Sequence, residues 1–209
     1  MKLKHLITVI SCAAGMSVPQ LTHAQGDYLD NTGQPVAGNN MVGLPFNNRV
    51  DVEFKTGTNA AGYTLNSITF LMANASVTPS PSSIELDVLA ADDNTPIFGN
   101  FDISGSNNPT NAGLHTFSVP SATLAANTDY WVSLLNPGSG DYEWSYANNT
   151  AATSSDGWSI TGNPNPLGET VNGSPMFAIN ATAVPEPSLS ALLVIGALAA
   201  LGGARLRRA

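Results

Sequence analysis

Residues 49–55 read RVDVEFK, and apolar and charged side chains alternate along the second to seventh of them. The apolar residues fall on one face of an extended chain, and the intervening Asp51 and Glu53 fall on the other. A period of two residues is typical of a β-strand with one buried and one solvated face. This stretch therefore predicts a half-buried strand and a fold built from sheets.

Similar stretches recur along the chain and are separated by turns rich in Gly, Pro and Asn, such as NPGSG at 136–140. No stretch before the C-terminal end has a helical period. Many short strands with such turns are typical of antiparallel two-layer folds. The sequence therefore predicts an all-β domain over residues 25–183, an antiparallel β-sandwich of jelly-roll type. The predicted strands are 49–55, 63–73 with a bulge near Asn66, 83–90, 97–103, 114–119, 129–135, 141–146, 158–161 and 176–182.

The first 24 residues have the order of parts found in a secretory signal peptide. Lys2 and Lys4 precede a short apolar run at 6–16, and small residues lead up to Ala24. This order predicts export through the secretion translocon, with signal peptidase cutting between Ala24 and Gln25.

The last 26 residues read VPEPSLSALLVIGALAALGGARLRRA and form a second targeting segment, after the signal peptide. Residues 189–204 carry no charge and predict a single C-terminal transmembrane helix. At about 1.5 Å per residue it spans roughly 24 Å, and it reaches across the hydrocarbon core of roughly 30 Å if Ser188 and the stem of Arg205 contribute. Basic residues follow at once and act as a membrane stop on the cytoplasmic side. They are Arg205, Arg207 and Arg208.

Two prolines stand between the predicted domain and this helix. Pro185 and Pro187 hold Val184 and Glu186 extended and keep the helix from starting earlier. An exposed extended tripeptide beside a membrane is a good protease substrate. In the alternative interpretation, the two prolines only prevent the helix from starting earlier, and the helix is a permanent membrane anchor. The residues alone leave both interpretations open.

The sequence Val184-Pro185-Glu186-Pro187, followed by one short apolar helix and a terminal Arg-Leu-Arg-Arg, resembles the PEP-CTERM sorting signal of Gram-negative bacteria. The resemblance implies that an exosortase, a transpeptidase-like membrane cysteine protease, recognises these four residues and removes the tail. Glu186 would be the recognised charge. The chain would pass through the inner membrane and end at the cell surface or in the extracellular matrix.

The body between Gln25 and Pro187 carries 15 acidic residues and two basic ones, Arg49 and Lys55, which gives a net charge of −13. Such a surface repels nucleic acid, so no nucleic-acid partner is expected. The single cysteine, Cys12, lies in the signal peptide, so the body has no disulfide. This composition leaves open divalent cations and neutral glycans, such as extracellular polysaccharide, as partners.

Three motifs in the body resemble the choice-of-anchor domains, in particular the R type. They are FKTG at 54–57, LAANTDYW at 124–131 and the Gly-Trp pair at 157–158. The resemblance implies a surface body that occurs with different C-terminal anchors, and it implies no activity.

The body offers few residues for binding or catalysis. Trp131, Trp144 and Trp158 could stack on sugar rings if they are exposed, or pack in the core if they are not. They make a carbohydrate-binding module the alternative function.

Oxygen ligands for calcium occur at Asp92, Asp93 and Asp102, without the spacing of a calcium-binding loop; no other cofactor is expected. Asp141 and Glu143 fall on one face of one strand, whereas a glycosidase needs two carboxylates across a cleft. A secreted glycan-active enzyme is therefore the least favoured alternative. The sequence predicts a non-enzymatic protein with a structural or adhesive role in extracellular polymer.

Overall fold

The computed structural model describes residues 25–42, 49–75, 84–91, 96–103, 109–136, 142–162 and 173–186. All regular secondary structure in these ranges is β-strand. The prediction of an all-β fold is thus confirmed for them. The strands are β1 (Gln25–Asp30), β2 (Gly38–Val42), β3 (Arg49–Lys55), β4 (Tyr63–Ala75), β5 (Ile84–Ala90), β6 (Pro96–Ile103), β7 (Gly113–Leu124), β8 (Asp129–Leu135), β9 (Tyr142–Ala147), β10 (Thr153–Ser154), β11 (Ser159–Gly162), β12 (Ser174–Pro175) and β13 (Phe177–Ala183).

The described strands form two sheets, and each ladder in them is antiparallel, as predicted. The larger sheet has the order β10-β1-β13-β4-β9-β12, with β7 also paired to β4 and β2 to β9. The smaller sheet has the order β11-β3-β8-β5-β6.

Strand β4 organises the larger sheet because it is long enough to pair with three neighbours. It pairs with β13 and β7 along its first part and with β9 at its end. The β4–β7 ladder shifts register between Leu65 and Ser67, where the sequence predicts a bulge. On β7, Pro120 lies within this register shift and has no partner residue on β4. Proline fits such a position because it has no N–H to donate to a ladder.

Buried side chains from both sheets form one hydrophobic core. On β3 the alternation has the predicted effect, because Val50, Val52 and Phe54 are all buried in this core. Removing each such side chain from water contributes about 1.5–3 kcal/mol, so the inward row of a single strand matters to the whole fold.

The chain between Ala24 and Val184 is one compact unit, and residues from Pro185 onward lie outside it. Within the described ranges, no helix is long and apolar enough to cross a membrane. The predicted signal peptide, up to Ala24, and the predicted membrane helix at 189–204 lie outside the described residues.

Candidate functional site

The predicted sorting signal begins where the compact unit ends. The N–H of Val184 donates to the carbonyl of Gly62 at 2.9 Å, and the side-chain amide of Asn59 donates to the carbonyl of Val184 at 2.9 Å. Pro185 and Glu186 follow directly and are exposed. Pro187 lies outside the described residues. Both backbone polar groups of Val184 are thus bonded within the body, and the next two residues are accessible.

The predicted signal-peptide cleavage site lies at the same end of the body. Gln25 is the first residue of β1, is exposed, and pairs with Thr182 near the end of β13. Ala24 lies outside the described residues, as do the membrane-stop arginines Arg205, Arg207 and Arg208. The two ends of the body are therefore neighbours in one ladder.

The three motifs that carry the choice-of-anchor resemblance meet in space and form what we call the motif junction, residues 54–57, 124–131 and 157–158. Thr56 joins the first two motifs, because its hydroxyl donates to the carbonyl of Ala125 at 2.6 Å and accepts from the N–H of Thr128 at 3.0 Å. The N–H of Asn127 donates to the carbonyl of Gly57 at 2.8 Å.

The Gly-Trp pair completes the motif junction by packing. The ring of Trp158 stacks on that of Phe54, with centroids 5.7 Å apart and planes 5° apart. Phe54 also stacks on Tyr130, with ring centroids 5.8 Å apart. The motif residues therefore act together as packing partners, which is a structural role.

All three tryptophans considered as sugar platforms are buried, which favours the alternative that they pack within the fold. Trp144 and Trp158 are 0% and 1% exposed and belong to the core, where the indole N–H of Trp144 donates to the carbonyl of Met176 at 2.7 Å. Trp131 is 4% exposed and lies on the face of β8 that points away from the hydrophobic core, between Glu53 of β3 and Leu89 of β5. None of them presents an open ring face to a sugar.

Of the three predicted calcium ligands, the described structure includes Asp102 alone, so their grouping stays a prediction. Asp92 and Asp93 lie outside the described residues, and Asp102 stands in β6 opposite Glu85. No group of three or more acidic, His or Cys side chains that could hold a metal occurs in the described ranges. Asp141 is also outside them, while Glu143 accepts a hydrogen bond from the side-chain amide of Asn39 at 3.2 Å.

Both basic residues of the body lie on β3, and one of them holds two carboxylates. Arg49 Nε donates to Asp51 Oδ1 at 2.9 Å, and Arg49 Nη2 lies 3.5 Å from Asp87 Oδ2. Asp51 and Asp87 stand on either side of Ser133 across three strands of the smaller sheet. These side chains lie on the face of the smaller sheet opposite the hydrophobic core, and they form a largely buried ion-pair cluster that ties β3, β8 and β5 together.

A buried tyrosine links the motif junction to the end of the body. Tyr63, which pairs with Ala183 of β13, donates its hydroxyl hydrogen bond to the carboxylate of Asp156. Burial raises the pKa of Tyr63 to about 12, and the bond to Asp156 adds to the rise because it favours the neutral hydroxyl. The second carboxylate oxygen of Asp156 accepts from the hydroxyl of Thr58 at 3.0 Å.

Sequence reasoning missed Asn59 and Asp156, although both stand in recognisable turns. Asn59 and Gly62 are the first and last residues of a four-residue turn closed by a 2.8 Å bond, a pattern typical of β-turns. Asp156 and Gly157 both have positive φ, of 53° and 79°, as the Asp-Gly pair of a tight turn requires.

Comparison with protein-family models, with curated proteins and with solved structures found no match to this chain.

Proposed function

We propose that this chain is an exported surface or extracellular-matrix protein of a Gram-negative bacterium, whose tail is removed at the Pro-Glu-Pro signal. One observation carries the proposal: the body ends at Val184, and the exposed Pro185 and Glu186 come directly after it. A processing enzyme needs accessible extended backbone, and a cut here would leave every strand of the body intact. An exosortase is the partner that this site fits.

The proposal includes a jelly-roll body. The order of the described strands supports it, because the main ladders are nested: β5 pairs with β6, β4 with β7, β3 with β8 and β2 with β9. A long antiparallel hairpin that is rolled up into two sheets produces this nesting, which is the basis of the double Greek key in jelly rolls. Strands β1 and β10–β13 are then additions to the roll.

The proposed membrane segment is the helix at 189–204 with the stop residues Arg205, Arg207 and Arg208. It would hold the chain in the inner membrane until the tail is cut. Signal peptidase would act first at Ala24 and Gln25. Because Gln25 and Thr182 are paired, both cuts would fall at one end of the body and leave the rest of its surface for extracellular polymer.

The body itself would serve a structural or adhesive role. Its charge of −13 and its single large core fit a soluble, self-supporting domain that needs no disulfide. The burial of the three tryptophans removes the argument for a carbohydrate-binding module that rested on them. No cofactor enters this proposal.

The test is the intact mass of the protein purified from its native host. We expect a chain that starts at Gln25 and has lost the terminal arginines. Glu186→Ala should leave the tail attached but the signal peptide removed, while Glu85→Ala, which removes the same charge from the outer face of β5, should be processed normally. Wild-type protein that still carries Arg207 and Arg208 at the cell surface would refute the proposal.

A further inference from the structure

The last residue of the body is held by a side chain far away in the sequence. The two N–H groups of the Asn59 amide reach two carbonyls, that of Gly62 at 2.7 Å and that of Val184 at 2.9 Å. The carbonyl of Gly62 also accepts the N–H of Val184 at 2.9 Å. Asn59, Gly62 and Val184 therefore close a small hydrogen-bonded ring, which we call the Asn59 clamp.

The clamp is fixed to the body independently of Val184. The backbone N–H of Asn59 donates to the hydroxyl of Tyr63 at 3.0 Å, and the N–H of Gly62 closes the turn back to Asn59. Gly62 has φ of +81°, where a side chain would be strained, and any Cβ there would collide with the carbonyl of Leu124. The turn is therefore a rigid support, and Val184 is the part that it holds.

The clamp determines which backbone a processing enzyme can reach. Proteins that bind extended peptides commonly do so through main-chain hydrogen bonds. Both backbone groups of Val184 are already bonded within the body, and Pro185 has no N–H at all. An enzyme would have to break the clamp, and then the β13 ladder, to engage any residue before Pro185.

We propose that Asn59 is a positioning residue for removal of the tail: it holds Val184 in the body, so that the cut falls after Val184 and β13 stays whole. This inference rests on the proposed processing at Pro-Glu-Pro. It predicts a mature C-terminus at Val184 or later, and never within β13.

The test uses the full-length chain in its native host and compares Asn59→Ala with Asn66→Ala. Asn66 is a matched control, because its amide also donates two bonds to β13, to Asn180 at 3.1 Å and to Thr182 at 2.9 Å, but through side chains and not at Val184. Two quantities are measured: the C-terminal mass of the processed protein, and hydrogen exchange at the Val184 amide.

We expect the wild type and Asn66→Ala to share one C-terminus at or after Val184. Asn59→Ala should give shortened, ragged ends that lose Val184, and its Val184 amide should exchange about five-fold faster, the effect of losing the hydrogen bond from the Asn59 amide to the Val184 carbonyl. Thermal melting shows whether both variants fold. Asn59→Ser, which keeps one donor, is the second variant should Asn59→Ala fail to fold.

A wild-type C-terminus inside β13 overturns the inference without any variant. So does an Asn59 variant that exchanges faster at Val184 but keeps the wild-type C-terminus, because Asn59 would then be only structural. Should wild-type protein retain its tail, the proposed processing itself fails, and the positioning role fails with it. The exchange measurement then still reports whether the clamp exists.

Discussion

Replacing Gly57 by alanine should destabilise the fold, because the motif junction has no room for one more methyl group. A Cβ at this position would lie 2.6 Å from the hydroxyl oxygen of Tyr63 and 2.7 Å from Cδ1 of Trp158, and it would meet the carbonyl oxygen of Asp156. Carbon atoms do not approach other heavy atoms so closely, and the carbonyl belongs to the backbone of a tight turn. The turn must therefore move.

The size of the effect follows from what moves. Overpacking a filled site typically costs about 1–3 kcal/mol. The bond from the N–H of Thr58 to the carbonyl of Asp156, at 3.1 Å, ties this turn to the segment that follows β3, and its loss adds about 1 kcal/mol. We expect Gly57→Ala to lower the free energy of unfolding by about 2–4 kcal/mol, which for a body of this length lowers the Tm by about 5–15 °C.

The assay is thermal and urea unfolding of protein purified from the native host, with Gly33→Ala as the control. Gly33 has no positive φ, and beyond its chain neighbours no heavy atom lies within 4 Å of the place that a Cβ would take. The same substitution there should change the stability by no more than about 0.5 kcal/mol. If both variants unfold together, the close packing between Gly57 and the Asp156 turn does not constrain the fold, and this reasoning is wrong.

Three further results are expected. Arg49→Ala should cost about 3 kcal/mol or more in urea unfolding, since it strips the partner from Asp51, which is 1% exposed, while Lys55→Ala should stay within about 1 kcal/mol; equal losses would contradict this. The pKa of Tyr63 is about 12 in the fold against 10.0 in the unfolded chain, so the stability it contributes is complete below pH 10 and falls between pH 10 and 12. The advantage of wild type over Tyr63→Phe should therefore shrink across that window, and a constant difference would refute it. Intact mass should show an attached tail in Glu186→Ala, because the charge between the two prolines is then missing.

Strands with a regular alternation could be predicted, because burial of one face fixes their period. The bounds of β3 and β8 agree with the prediction, and those of β4, β5 and β13 differ by one or two residues at an end. Four strands were not predicted, namely β1, β2 and the two-residue strands β10 and β12. β1 (QGDYLD) buries the consecutive residues Tyr28 and Leu29 across a register shift, and β2 (GNNMV) is rich in residues that disfavour strands. β1 forms because it pairs with β13, and β2 because it pairs with β9. The partner strand lies far away in the sequence, so the local pattern of residues does not reveal the pairing.

The tryptophans show why the sites were harder to predict than the strands. Alternation correctly places Tyr142 and Trp144 on one face of β9, but it does not say whether that face is the core. On β8, knowing which residues face the core would still not give the exposure of Trp131. This residue faces away from the core and is nevertheless buried. Exposure depends on what covers a face, which is a property of the assembled sheets.

The residues of the motif junction have a structural role. Thr56 and Gly57 are required by the turns that they contact, and Trp158 by the aromatic rings around it. These demands come from packing at the end of the body where Gln25 and Val184 also lie, and they would be the same whatever the rest of the surface binds. Function must then be sought on surfaces that the motifs leave unconstrained.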